Sequence, residues 1–254
     1  MAERESKTEG RRLILTPDEA RSLPPGSPSM KRTLNLLRFA RTFVSLVRDP
    51  DQLERVFDLG ERVAQGDLFE QMPWLRGRPE IEGLLRGPVQ RLHLDVERLA
   101  SLSPGTVGRE YADFITRNGL DPAALDHATG TGSLERFRIH LQGTHDLWHV
   151  ATGFDTDVDG EIGLQAFYYA QLQAPLPLTL MSAGLLNSLL LQRGSGPRRV
   201  EKLVQGYLMG RRAAPLTGLP WSAWWQRPLS ELRRALRIDP SLAPDDVASV
   251  GTAA

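Results

Sequence analysis

The sequence predicts an all-α protein, a single multi-helix domain with an irregular tail at each end. Three observations carry that expectation. Apolar residues recur at intervals of three and four along several segments, as one face of an α-helix requires. Strand-like alternation of apolar and polar residues is scarce throughout. Glycine and proline punctuate the joins between the periodic segments.

Residues 1–30 are polar and contain the run Pro24-Pro25-Gly26-Ser27-Pro28, which sustains neither helix nor strand, so this stretch reads as a flexible tail. From Lys31 to Arg48, Leu34, Leu37, Phe43, Val44 and Val47 fall at roughly helical spacing, and Asp49-Pro50 supplies a stop. The polar side of that helix carries Lys31, Arg32, Arg38, Arg41 and Arg48. It suits an anionic membrane surface or, more commonly, a solvated face over an ordinary core. A further helix is expected over Asp51–Gly66, and others around Glu80–Arg86 and Val89–Leu102. The turn Ser103–Gly108 leads into a helix over Arg109–Asn118, with Tyr111, Phe114 and Ile115 on one face and Gly119 ending it.

After the Gly130-Thr131-Gly132 turn, Ser133 is the expected N-cap of a helix reaching Thr152. A loop over Gly153–Gly160, a helix from Glu161 to about Gln173, an apolar segment to Leu191 and a basic Gly-rich turn over Arg193–Arg199 follow. The last helix spans Leu229–Leu236 and stops before Asp239-Pro240. The helical domain is therefore expected over 31–238, with a second tail over 239–254.

Lys+Arg and Asp+Glu are equal at 31 each, so no global attraction to nucleic acid or to an acidic membrane is encoded. Any such partner must be met by a local patch, and nucleic acid is not an expected one. The chain has no cysteine, which removes disulfides, thiolate metal ligands and thiol nucleophiles. The first twelve residues mix Glu3, Glu5 and Glu9 with basic residues and lead into no apolar run, against a secretory signal or a mitochondrial transit peptide. A bacterial-type cytoplasmic protein is expected. The apolar stretch Ala174–Leu191 is too short and too broken by Pro175, Pro177 and Asn187 to read as a transmembrane helix.

In the helix beginning at Ser133, Leu134, Phe137, Leu141 and Trp148 mark the buried stripe, and His145 and His149 extend it. Four residues apart, the two imidazoles project from adjacent turns of one face, as needed to reach a single metal ion. Gly143 just before them leaves room for a close approach. Glu161, eleven intervening residues after His149, stands where an antiparallel return would face the histidines. Two His with a carboxylate suit zinc, or iron in a facial arrangement with open positions. Asp146 points about 100° away from His145 on a helix, and fits a water-bridged ligand, an outer partner that orients an imidazole, or an acid/base group. Each of these residues alone also fits an ordinary structural role; the combination points to one divalent metal.

Two other motifs overlap this region. Asp155, Asp157, Asp159 and Gly160 copy the first half of a calcium loop, but position twelve is Ala166 where a bidentate Glu is required. His145-Asp146-Leu147-Trp148-His149 is also similar to the His-Glu-x-x-His signature of zinc hydrolases, with the shorter Asp in place of the general base.

The His145–His149 run, eleven residues and then Glu161 resembles the signature of the family of the fourth protein of coenzyme Q (ubiquinone) biosynthesis and its bacterial relatives. Gly160-Glu161-Ile162, Phe167, Gln171 and Pro175 fit the same pattern, as do Gly105-Thr106-Val107-Gly108 with Tyr111 and Phe114 upstream. Ala214-Pro215-Leu216 and the stretch from Trp221 to Leu229 resemble its closing segment. The resemblance covers about Leu34 to Ile238 and marks a divergent, bacterial-type member. An Arg-Tyr-Arg run of the family pattern is replaced by His140-Leu141-Gln142, and an acidic residue after the Phe by Tyr168.

The resemblance implies an all-helical, often dimeric protein, peripherally bound where ubiquinone is made and associated with other enzymes of that pathway. It implies metal-dependent removal of the C1 carboxyl group from a polyprenylated benzoate ring with hydroxylation at the same carbon. The alternatives are a lipid-binding scaffold without turnover and a zinc-dependent hydrolase. His145, Asp146, His149 and Glu161 are the expected metal set, with Asp146 as a candidate catalytic acid/base. Arg136 and Arg138 are candidates to hold the substrate's anionic group. Leu180 and Leu185, with their neighbouring leucines, are candidates to line a groove for the polyprenyl tail.

Overall fold

The computed structural model describes residues 39–49, 66–86, 92, 94–124 and 130–242. Among them 68% are helical and none lies in a strand, as the apolar spacing predicts. The expected helix over Asp51–Gly66, apart from Gly66 itself, the first tail up to Met30 and residues 243–254 of the second tail lie outside the described residues.

Helix α1 covers 39–48. Short helices follow, α2 (Leu68–Gln71), α3 (Pro79–Arg86) and α4 (Val96–Ala100), with a 3-10 turn at Pro73–Leu75. Helix α4 is much shorter than the expected Val89–Leu102 because Asp95 caps it, accepting from Arg98 N at 3.0 Å. Helix α5 (Val107–Asn118) begins two residues before the expected Arg109. Its first amides are satisfied from afar: Val107 N donates to Arg227 O at 2.9 Å and Gly108 N to Trp225 O at 3.0 Å. Gly119, in the left-handed region, closes the helix.

Helix α6 (Ser133–Thr152) has Gly132, not Ser133, at its N-cap. The Ser133 hydroxyl is used elsewhere, accepting from Leu68 N at 2.9 Å and donating to Asp67 at 2.6 Å, so it ties α2 to α6. Helix α7 (Val158–Leu172) starts before the expected Glu161 because the Asp157 carboxylate caps Gly160 N at 2.8 Å, which places Glu161 in the first turn. That cap also gives Asp157 an ordinary role in the calcium-like run, and Asp159 is held by Arg198 at 2.9 Å and Arg199 at 3.2 Å.

Helix α8 (Pro175–Leu190) follows, then α9 (Gly196–Arg212) and α10 (Leu229–Leu236). No described helix is long and apolar enough to cross a membrane. Helix α9 takes over the second half of the expected basic turn over Arg193–Arg199, starting at Gly196 and running for 17 residues, while 193–195 remains a turn. Its buried side is made of Arg199, Gly206, Leu208, Met209 and Gly210, with a single aliphatic leucine where an inward face ordinarily repeats them.

Those glycines explain the packing. A Cβ on Gly206 would lie 1.9 Å from Gly163 O of α7, and one on Gly210 would lie 2.8 Å from Phe167 O. The two backbones thus touch, and α7 is clamped along α9. Gln171 adds a polar lock: its Nε2 donates to Gly210 O at 3.1 Å, and its Oε1 accepts from Leu216 N at 3.1 Å. Arg199, 2% exposed, joins three helices by donating to Gly184 O and Asn187 Oδ1, both at 2.7 Å, and to Asp159. Asn187 passes the tie to α1 through Val47 O at 2.7 Å. The central core between these layers includes Tyr111, Leu147, Trp148, Leu164 and Phe167. Trp221 is buried in it and Arg227 stacks 3.8 Å over Trp224, so the tryptophan segment serves packing.

His140 accepts from Gly218 N at 3.0 Å, and burial pushes its pKa from 6.5 down to about 4. The folded protein therefore prefers neutral His140, whereas the unfolded chain takes up a proton below 6.5. Stability should be complete above that value and should decline as pH falls toward 4. Urea midpoints of wild type and His140→Gln across this window check it; parallel pH profiles would remove His140 as the cause.

Candidate metal centre

Helix α6 brings His145 and His149 to one face because they are four residues apart. The return through Gly153 and the Asp157 cap lays the first turn of α7 against that face, and Glu161 with it. His145 Nε2 lies 3.2 Å from His149 Nε2, and Glu161 Oε1 lies 3.0 Å from His149 Nε2 and 3.8 Å from His145 Nε2.

The outer side of His149 is already occupied. Its Nδ1–H donates to Phe154 O at 3.0 Å, which leaves Nε2 as a bare lone pair in the neutral ring. Phe154 is fixed in turn by packing its ring on Gly163, where a Cβ would come within 2.5 Å of it. Two imidazole nitrogens and a carboxylate oxygen therefore converge on one small space, where a proton or a metal cation between them offsets the repulsion of their lone pairs. Donors held about 2.0–2.2 Å from one ion lie roughly 3–3.5 Å apart, and the observed separations bracket that range. Among the described residues, these three form a group that could hold a metal ion. The donor set matches zinc as well as iron.

Charge follows the same geometry. Burial opposes ionisation of Glu161, but His149 and His145 beside it hold its carboxyl well below the usual range. Burial alone would lower the His145 pKa; the hydrogen bond and charge of Glu161, with the charge of Asp146, raise it above its ordinary value.

Asp146 is not brought into the three-atom group. Burial, reinforced by the charge of Glu161, pushes its pKa up against the opposing pull of His145 and His149. It is a carboxyl that holds its proton more tightly than usual beside the site. Arg136 is turned away, donating to Thr131 O at 3.0 Å near the start of α6, and Arg138 is only two residues along. Both precede His145 by roughly 10–14 Å of helix rise. Leu180 packs against α1, in the cluster of Leu46, Val47 and Ala183, while Leu185 is half-buried next to Gly184, which meets Ile162 beside Glu161. Gly143 borders open space, with nothing within 4 Å of an added Cβ, so no close approach at that position requires it.

Residues without a signal in the spacing complete the site. Tyr168 of α7 stacks on Trp148 with centroids 4.1 Å apart and faces His145 at 6.0 Å. Behind His149, Glu110, Phe114, Arg117, Phe154, Asp155 and Arg233 wall a small cleft of about 120 Å³. Arg233 also takes the last carbonyls of α6, donating to Val150 O and Ala151 O at 2.9 Å, and so steadies the turn after His149. Long-range contacts such as these leave no periodic mark in the chain.

The comparisons agree with this fold. The family model for the coenzyme Q (ubiquinone) biosynthesis protein Coq4 matches residues 29–241. A relative from Danio rerio, the mitochondrial ubiquinone biosynthesis protein COQ4 homolog, is 27% identical over 214 residues, 77% of this chain and 73% of its own length. The mitochondrial ubiquinone biosynthesis protein coq-4 of Neurospora crassa is 29% identical over 155 residues, 58% of this chain but 42% of its own length. The match thus spans less than half of that fungal relative. A crystal structure from Nostoc punctiforme, provisionally described as a ubiquinone biosynthesis protein, superposes with a TM-score of 0.71 at 27% identity, covering 81% of this chain and 97% of that one. With the family model matching most of its length, the chain belongs to the Coq4 family of ubiquinone biosynthesis proteins.

Proposed function

We propose that the chain is a metal-dependent enzyme of ubiquinone biosynthesis that removes the C1 carboxyl group of a polyprenylated benzoate ring and places a hydroxyl there, working at a membrane surface. The observation that carries this reading is the convergence of His145 Nε2, His149 Nε2 and Glu161 Oε1 with the far side of His149 already bonded to Phe154 O. His145, His149 and Glu161 would hold the ion. When bound, zinc or iron supplies Lewis acidity toward the ring's phenol or carboxylate oxygens, and iron adds a route for dioxygen to serve as the oxidant. The raised pKa of Asp146 suits a carboxyl oxygen that gives or takes a proton at the ring. Trp148 and Tyr168, stacked on each other and both buried, back His145 with apolar rings and limit water behind it.

The lipid side rests on a separate surface. Leu178, Leu189, Leu190 and Leu191 are 47–68% exposed on and just after α8, and Val44 of α1 is 47% exposed. The chain has no acidic residue between Glu161 and Glu201, and Arg193 follows the leucines, whereas Arg198 beyond it is paired with Asp157 and Asp159. An exposed apolar tip with a basic residue at its rim suits an anionic lipid interface. The polyprenyl substrate, a homodimer and contacts with other enzymes of the pathway belong to the same reading. Leu190→Glu with Leu191→Glu should keep the fold and weaken sedimentation with anionic vesicles at least tenfold; undiminished binding would place the membrane contact elsewhere.

The deciding experiment is metal analysis of the purified protein joined to rescue of ubiquinone synthesis in a deficient host. Stoichiometric metal and oxygen-dependent turnover support the enzyme. Rescue by a folded, metal-free variant would replace it with a scaffold that needs only the lipid surface.

A further inference from the structure

His149 and His145 are alike in what their inner nitrogens face, and each needs an acceptor for the other ring nitrogen. For His149 that acceptor is Phe154 O. For His145 the contact is with a side chain: Tyr168 Oη lies 3.5 Å from Nδ1. We propose that Tyr168 is the positioning residue of His145, its phenol oxygen accepting the Nδ1–H and so fixing the tautomer whose Nε2 lone pair turns toward His149 and Glu161. This inference rests on the metal reading above.

Three features support it. The phenol ring is locked, 5% exposed and stacked on Trp148 at an interplanar angle of 6°. Trp148 stands three residues beyond His145 on α6, so the tyrosine that lies on one faces the other, and the Tyr168 and His145 rings are 13° from parallel. Finally, the direction of the bond follows from the site. A phenol that donated to Nδ1 would leave the imidazole proton on Nε2, pointing at His149 Nε2 only 3.2 Å away and blocking ligation. The accepting direction keeps all three inner atoms available. At 3.5 Å the contact is longer than a strong hydrogen bond, which puts its effect at the low end of the 10–100-fold that outer partners of metal ligands contribute.

Tyr168→Phe keeps the ring and the stack and removes only the oxygen. Zinc affinity measured by chelator competition should fall about tenfold, and the visible bands of the cobalt-substituted protein should shift, with the unfolding midpoint of the metal-free protein little changed. A purely structural tyrosine would move the midpoint and leave the affinity of the folded fraction alone. Equal affinity and identical cobalt spectra in the two proteins would overturn the role of Tyr168 while leaving the metal reading intact. A wild type that takes up neither zinc nor cobalt would overturn both. In zinc-loaded wild type labelled with nitrogen-15, the His145 Nδ1–H should exchange slowly; exchange at the rate of an unbonded imidazole would also overturn the proposal, whether or not the phenylalanine variant folds.

Discussion

His149→Ala is expected to yield protein that purifies without metal and fails to rescue ubiquinone synthesis. The imidazole supplies the donor nearest to both other donors, 3.2 Å from His145 Nε2 and 3.0 Å from Glu161 Oε1. Removing it leaves two ligands, so the loss of affinity should exceed the roughly 10–100-fold typical of an outer partner. His149 is also 1% exposed, stacked with Phe114 at 5.5 Å and bonded to Phe154 O. Alanine therefore leaves a cavity and an unpaired carbonyl, which cost stability on their own. Glu161→Gln separates the two effects, because the amide keeps the volume of a half-exposed side chain and loses the charge. Both variants should lose metal, measured by elemental analysis, but only His149→Ala should lose substantial thermal stability. Acid should act in the same direction, since the imidazoles must be deprotonated to bind and lowering the pH releases the ion. Full metal content in a folded Glu161→Gln protein would remove the carboxylate from the ligand set.

The second large effect is expected from Gly206→Ala. Its methyl would stand 1.9 Å from Gly163 O, an atom of the α7 backbone that no rotamer change can move. Helices α7 and α9 would have to separate, at a cost at or above the top of the usual range of about 1–3 kcal/mol for overpacking. Because Gly163 is two residues beyond Glu161 and supports the Phe154 ring, metal affinity should fall as well. Gly143→Ala is the counterpart on α6. A Cβ there meets nothing within 4 Å, and alanine in a helix interior should stabilise by roughly 0.5–1 kcal/mol. Urea unfolding of the two variants should therefore move in opposite directions. A Gly206→Ala midpoint equal to wild type would mean that α7 and α9 are not in backbone contact.

The local part of this molecule was open to reading from the chain. The i, i+4 spacing of His145 and His149 put them on one face because a helix rotates about 100° per residue, and α10 falls on its expected Leu229–Leu236. Helix limits shifted where a cap decided them. Asp157 started α7 before Glu161, Asp95 cut α4 short, and the hydroxyl of Ser133 was taken by a helix more than sixty residues away. Helix α9 carries little signal in the apolar spacing because its inward face has only Leu208 and Met209 beside glycine and arginine. The periodic signal measures hydrophobicity, whereas that face is held by close backbone approach and by a buried guanidinium with four partners.

The candidate ligands His145, His149 and Glu161 were thus already named by residue type and spacing, together with the all-α class. Folding decided their relations. It set Glu161 at 3.0 Å from His149, kept the Asp146 carboxylate out of the group, assigned Phe154 O to one imidazole and turned Tyr168 toward the other. Spacing along one helix is set by the backbone's own geometry. Distances between helices depend on which side chains, carbonyls and glycines meet across them, and those pairings join residues far apart in the chain.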